Sequence, residues 1–240
     1  MNEIQTTQPK RDYFLPASIL ISALLISVSL IYNAGKKAPN GDLEGNLVRS
    51  AGNKSVSIEL EKISSDDHLF GSSDAPVKVV EFSDFECPFC KQFHETMHQI
   101  VKDYDGRVAW IYRQFPIDEL HPRARKESEA SECAAELGGN SKFWEYADKI
   151  FEVTPSNNGL DPKELYKIAE QVGLDRSKFT QCLESGRNAA RVEADVNDAI
   201  KAGALGTPYS VVVSKDGKKY PINGALSYTR VKSVIDEALR

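Results

Sequence analysis

The chain has 240 residues, 41% hydrophobic and 27% charged, with a net charge of -5 and a pI near 5.5. This is the composition of a globular protein with room for one large or two small domains. The acidic balance, with no basic stripe carrying interleaved aromatics, excludes a polyanion-binding surface, so no nucleic-acid partner is expected. Four cysteines are too few for a disulfide-stapled miniprotein.

Residues 1–12 form a short polar segment, expected on the cytoplasmic side. The next stretch, YFLPASILISALLISVSLIYNA (13–34), is 22 residues without a charge, long enough to cross a hydrocarbon core of about 30 Å. Tyr13 and Tyr32 stand near its ends, where interfacial aromatics are favoured. A helix apolar on every side at a chain terminus has nothing obvious to be buried in. Signal-peptide cleavage after Ala34 would put Tyr32 where a small residue is required, so the segment reads as an uncleaved transmembrane anchor. Lys10 and Arg11 on one side are balanced by Lys36 and Lys37 on the other, and charge does not set the orientation.

Residues 35–66, rich in Gly, Asn, Ser and charge, read as a linker. One alternating piece, Val56 to Leu60, could pair as an edge strand. PVKVVEF (76–82) is a β-branched apolar run that suits a strand covered on both faces. From Cys87 to Tyr104, the residues Phe93, Met97, Ile100 and Tyr104 recur at helical spacing, and RVAWIYRQF (107–115) returns as a second strand. A right-handed crossover is the expected link.

Four or five helical patterns follow between about 120 and 201: PRARKESEASECAAEL, SKFWEYADKIFEV, DPKELYKIAEQVG, DRSKFTQCLESG and AARVEADVNDAIKAG. PYSVVVSKDGKKYPING then predicts two strands around an Asp-Gly turn, and SYTRVKSVIDEALR an amphipathic helix. The layout is an α/β sheet domain, residues 67–240, with a helical block inserted into it.

Within this layout Cys87 falls where a buried strand ends and a helix begins, with Pro88 at a first helical position. Unpaired backbone N–H groups and the helix dipole there stabilise a thiolate and lower its pKa. Cys90, one turn further in, can attack a mixed disulfide formed at Cys87. The stretch CPFCKQFHETMH also offers Cys87, Cys90, His94 and His98 along one helical stripe. The eleven residue steps from first to last span about 16 Å, too far for the ligands of one zinc ion. No metal is expected there, and His94 and His98 read as surface residues flanking the core stripe.

A Cys-x-x-Cys pair alone is a weak signal. Taken in order, DAPVKVVEFSDFECPFC, YRQFPIDELHPRA, FWEYADKIF, GLDRSKFTQCL and GTP make the chain from about Asp67 to the C-terminus resemble the thioredoxin superfamily. Within it, the resemblance is to the membrane-anchored, DsbA-like thiol:disulfide oxidoreductases of bacteria. It implies a thioredoxin fold with an inserted helical domain, no cofactor, and named roles. Cys87 matches the substrate-attacking cysteine and Cys90 its resolving partner, with Pro88 and Phe89 as the dipeptide that tunes the couple. Pro208 matches a cis-proline beside the site, and Thr207 the residue whose backbone holds an extended substrate. Glu81 matches a buried carboxylate that assists proton transfer at the resolving thiol; the alternative is a half-exposed strand glutamate.

One departure matters: strongly oxidising relatives often carry histidine before the second cysteine, where this chain has Phe89. Glu86 adds a negative charge next to Cys87, so a less stabilised thiolate and a less oxidising couple are expected.

Cys133 and Cys182 lie in two helical patterns of the insert, each on a small or apolar face. Paired, they would stabilise the fold by about 4 kcal/mol on the chain-entropy model; unpaired, they would pack as small hydrophobes. The resemblance favours pairing.

An anchor with an exchange site implies an oxidising compartment, with residues from about 35 onward outside the cytoplasm at the cell membrane. The partners implied are exported proteins with cysteine thiols or disulfides and a quinone-linked membrane reoxidase, and a monomer is expected. The leading expectation is a dithiol oxidase. A reductase or isomerase keeps the chemistry and redirects it, and a tethered metal-binding or redox-sensing module is the reading from another class.

Overall fold

The structure, a computed structural model, describes residues 58–240. The expected cytoplasmic segment, the transmembrane anchor at 13–34 and the linker as far as residue 57 lie outside the described residues. Among the described residues no helix is long and apolar enough to cross a membrane.

Strands β1 (His68–Gly71), β2 (Val77–Ser83), β3 (Val108–Gln114), β4 (Tyr209–Val213) and β5 (Lys219–Asn223) form one sheet in the order β1-β3-β2-β4-β5. The pair β2–β3 is parallel and the other pairs are antiparallel. The parallel pair needs a crossover, supplied by helix α1 (Pro88–Asp103). Both faces of β2 are buried, and period-2 alternation sends its residues to two cores. Val77 and Val79 face a core shared with Phe93, Met97 and Ile100 of α1 and with Val231 and Ile235 of the last helix, α6 (Tyr228–Ala238). Val80 and Phe82 face the opposite core. Burying each large α1 side chain contributes about 1.5–3 kcal/mol, which fixes the helix bearing the cysteines against the central strand.

Four helices lie between β3 and β4: α2 (Ala124–Val153), α3 (Glu164–Gln171), α4 (Arg176–Ser185) and α5 (Ala189–Lys201). The first joins two of the predicted helical patterns across a kink at Gly139, whose φ of 77° is backbone that a side chain rarely adopts. Cys133 of α2 and Cys182 of α4 are disulfide-bonded, with Cα atoms 5.9 Å apart. Helix α5 differs from its neighbours in packing Val196 and Ala199 against Val80, Phe82, Ile111 and Val211, so it covers the second face of the sheet. The arrangement is a thioredoxin-like α/β fold with a helical insertion.

The alternating piece 56–60 is described only from residue 58. Ile58–Leu60 has no regular structure, and His68–Gly71 pairs antiparallel with β3 instead. The end of the expected linker also lies on the domain: Ile58, Leu60 and Ile63 pack against the second core. Arg113 of β3, 3% exposed, holds this segment in place. It donates to Asp67, just before β1, at 2.7 Å and to Asp198 of α5, and Asp198 in turn accepts from Glu61 N. A buried guanidinium between two carboxylates is paired in the way burial demands.

Candidate active site

Cys87 is the N-cap of α1 and Pro88 its first residue, a position where a missing N–H costs nothing. Cys87 is 4% exposed and Cys90 fully buried. The two sulfurs differ in surroundings. Hydrogen bonding from the Cys90 thiol, from the backbone N–H groups of Cys90 and Phe89 and from the Thr207 hydroxyl outweighs burial and lowers the Cys87 pKa from 9.0 to about 6. Cys90 is pushed well above its usual range by burial, then by the Cys87 thiolate and Glu81. Its sulfur accepts from Asp84 N, at 3.4 Å.

The Thr207-Pro208 peptide bond is cis, and the Thr207 carbonyl lies 3.5 Å from Cys87 Sγ, accepting from it when it is a thiol. Residues from the two ends of the domain thus meet at one sulfur. Phe89 stands 61% exposed beside it and acts on Cys87 through its backbone N–H rather than its ring.

Glu81 lies on central strand β2, fully buried, in register with Tyr112 on β3 and Ser210 on β4. Neither of its carboxyl oxygens has a protein hydrogen-bond partner, and burial raises its pKa from 4.5 to about 8. The half-exposed alternative is thereby excluded. A carboxyl that is protonated near neutrality beside a thiol that resists ionisation is a proton donor and acceptor for that thiol.

Three neighbours were not legible as site residues. The Asp84 carboxylate accepts from Glu86 N at 2.8 Å, Ile117 N at 2.8 Å and His121 Nδ1 at 2.9 Å, which fixes the loop before the cysteines. Glu127 of α2 is pushed up to about 9 by burial and then by Glu86. Only the tertiary fold brings these residues together; the acidic run Asp84-Phe85-Glu86 was the one local hint.

Two expectations need correction. Glu86 does not confront the Cys87 thiolate, because its carboxylate accepts from Gly159 N and Leu160 N, both at 3.2 Å, and so holds the insert's loop. His94 is not a surface residue: α2 packs over α1 there and leaves it 2% exposed, while His98 is half-buried. The stripe of four donors does not close on one ion; among the described residues the histidines gather with Asp148 instead of with the cysteines.

Comparison with known proteins places this geometry. A family model described as Thioredoxin matches residues 64–237, insert included. The crystal structure of Pseudomonas aeruginosa DsbA2 is similar at a TM-score of 0.63 and 26% identity, covering 74% of this chain and 97% of that one. Oxidised BdbD from Bacillus subtilis shares the fold at a TM-score of 0.60 and 24% identity, over 72% and 92% of the two chains. Among curated proteins, "Na(+)/H(+) antiporter NhaA 3" of Salinispora tropica is 37% identical over 142 residues, 59% of this chain. The chain spans only 21% of that relative's length. With its CxxC at the head of α1, its cis-proline opposite and its helical insertion, the chain belongs to the thioredoxin family, in a DsbA-like form.

Proposed function

We propose that the protein is an extracytoplasmic, membrane-tethered thiol:disulfide oxidoreductase working as a dithiol oxidase on exported proteins. The observation that carries this reading is the asymmetry of the two sulfurs: Cys87 ionises at about 6, whereas Cys90 stays protonated. A stabilised Cys87 thiolate stabilises the reduced form, and that makes the disulfide form an oxidant.

In the forward direction a substrate thiolate attacks Cys87 Sγ and breaks the Cys87–Cys90 bond. The departing Cys90 sulfur takes the proton that Glu81 carries below about pH 8. A second substrate thiolate then attacks the substrate sulfur of the mixed disulfide and expels Cys87 as a thiolate, a good leaving group because its pKa is low. The substrate gains a disulfide, two electrons rest on the cysteine pair, and a quinone-linked membrane partner removes them. The cis-Pro208 loop, with the Thr207 carbonyl beside Cys87, offers a backbone acceptor to an extended substrate segment.

The test is to mix the oxidised full chain with a reduced model dithiol peptide and, separately, the reduced chain with insulin. Stoichiometric peptide oxidation that outpaces insulin reduction is expected; the reverse order would assign a reductase. For the location, Cys87, first freed with a membrane-impermeant reductant, should react with a membrane-impermeant maleimide in intact cells. Labelling only after permeabilisation would put the domain on the other side.

A further inference from the structure

We propose that His94, His98 and Asp148 form a mononuclear site for a divalent transition-metal ion such as Zn2+, which ties the cysteine-bearing helix α1 to the insert helix α2. Cofactor-free thiol exchange makes no use of these three residues.

The two histidines stand four apart on α1, in the sequence His94-Glu95-Thr96-Met97-His98. This is the H-E-x-x-H spacing that puts two imidazoles on one helix face. Asp148 comes from α2, across the interface. Three donor atoms converge: His94 Nε2 is 2.7 Å and His98 Nε2 2.9 Å from Asp148 Oδ1, and the two Nε2 atoms are 3.2 Å apart. An ion about 2.0–2.1 Å from each donor requires donor separations of about 2.9 Å in octahedral and about 3.4 Å in tetrahedral geometry. The observed triangle lies within a few tenths of an ångström of the octahedral value with every side chain already in place.

Without a cation each imidazole can donate Nε2–H to Asp148 Oδ1, which has two lone pairs, so an ion must displace those two protons. A cation accepts all three lone pairs at once. Two imidazoles and a carboxylate suit Zn2+, Ni2+, Cu2+ or Fe2+ rather than Mg2+ or Ca2+.

The setting is one-sided. His94 is walled by Phe151 and Trp110, at ring-centroid distances of 4.5 and 5.0 Å, which fix its ring. The His98 and Asp148 side chains are 28% and 46% exposed, so the ion enters from solvent and water completes its shell. His94 Nδ1 is buried without a partner, and it must carry the proton when Nε2 is the ligand. A missing outer-shell acceptor lowers affinity by about 10–100-fold.

Co2+ titration of the untagged full chain in detergent, with Cys87–Cys90 oxidised so that thiolates cannot compete, tests the proposal. One saturable equivalent is expected, with visible d–d bands and no thiolate charge-transfer band. Zn2+ should displace Co2+ and raise the unfolding midpoint. His98→Gln and Asp148→Asn, both at partly exposed positions, should each weaken binding by at least ~10-fold. The wild-type protein gives an independent readout: contact-shifted imidazole N–H resonances from two histidines in the Co2+ form. Binding that is non-saturable, that both variants leave unchanged, or that shifts no histidine resonance overturns the proposal.

Discussion

The two cysteine pairs differ in the quality that decides reactivity, and burial is not that quality. Cys87, Cys90, Cys133 and Cys182 are 4%, 0%, 1% and 1% exposed. In the insert the surroundings of the two sulfurs are alike: Asn188 Nδ2 lies 3.4 Å from Cys133 Sγ and 3.3 Å from Cys182 Sγ. At the head of α1 they are not. Cys87 collects donors from a helix N-terminus and from Thr207, whereas Cys90 has one backbone donor and a buried carboxyl for company. Equivalent sulfurs staple a fold, and inequivalent ones exchange, because exchange needs one sulfur that leaves readily and one that holds its proton.

The hardest test of this contrast exchanges the roles of the pairs. Cys87→Ser should abolish oxidation of a model dithiol while leaving the fold intact by circular dichroism. The Cys133→Ala/Cys182→Ala double variant should keep the exchange rate per folded molecule. It should lose about 4 kcal/mol in denaturant unfolding, the value for a loop of this length. Equal loss of exchange in both variants would erase the distinction.

The next test acts on the proton. Glu81→Gln should slow formation of the mixed disulfide, the step in which Cys90 takes up its proton, by about 10²-fold, seen as its delayed appearance on non-reducing gels. The same residue sets a pH dependence. Its folded pKa, about 8, lies above its ordinary 4.5, so the folded state binds the extra proton between these values and stability falls as pH rises across that window. Chemical denaturation from pH 5 to 8 should show this slope in the wild type and a shallower one in Glu81→Gln, where Glu127, raised to about 9, keeps its own share.

Cys87 has the opposite sign. Its folded pKa is depressed from 9.0 to about 6, so its contribution to the reduced protein is fully present above about pH 9 and is lost as pH falls through about 6. The stability gap between reduced wild type and Cys87→Ser should close on that descent. The smallest expected effect is that of Thr207→Val, which removes one hydroxyl donor from the thiolate. It should make the couple less oxidising by about 30 mV, one tenfold step in the exchange equilibrium.

What the sequence made legible follows from which signals are local. The runs that became β2, β3 and β4, and the helical stripe Phe93-Met97-Ile100, are period-2 and period-3.6 patterns that the core later uses. The cysteine pair, Thr207 and Pro208 were readable as motif positions, and Cys133 and Cys182 as candidates, because each carries its own chemistry. Strand β1 was missed because its four residues, HLFG, are too short to show alternation. The direction of the Glu86 side chain was missed because its partners, Gly159 and Leu160, come from the insert. Burial of His94 was missed for the same reason: α2, which covers it, is distant in sequence. Tertiary placement, rather than residue type, is what the local pattern could not carry.

The central claim is that the reduced form of the Cys87–Cys90 couple is stabilised at Cys87. The most direct measurement is its reduction potential, by thiol alkylation of the full chain equilibrated in defined glutathione buffers at pH 7. A thiolate stabilised to a pKa of about 6, between thioredoxin's about 7 and DsbA's about 3.5, predicts a value intermediate between about -270 and about -120 mV, in the range of protein disulfide isomerase's about -180 mV. A value near about -270 mV, that of a general reductant, would contradict it and reverse the proposed direction of electron flow.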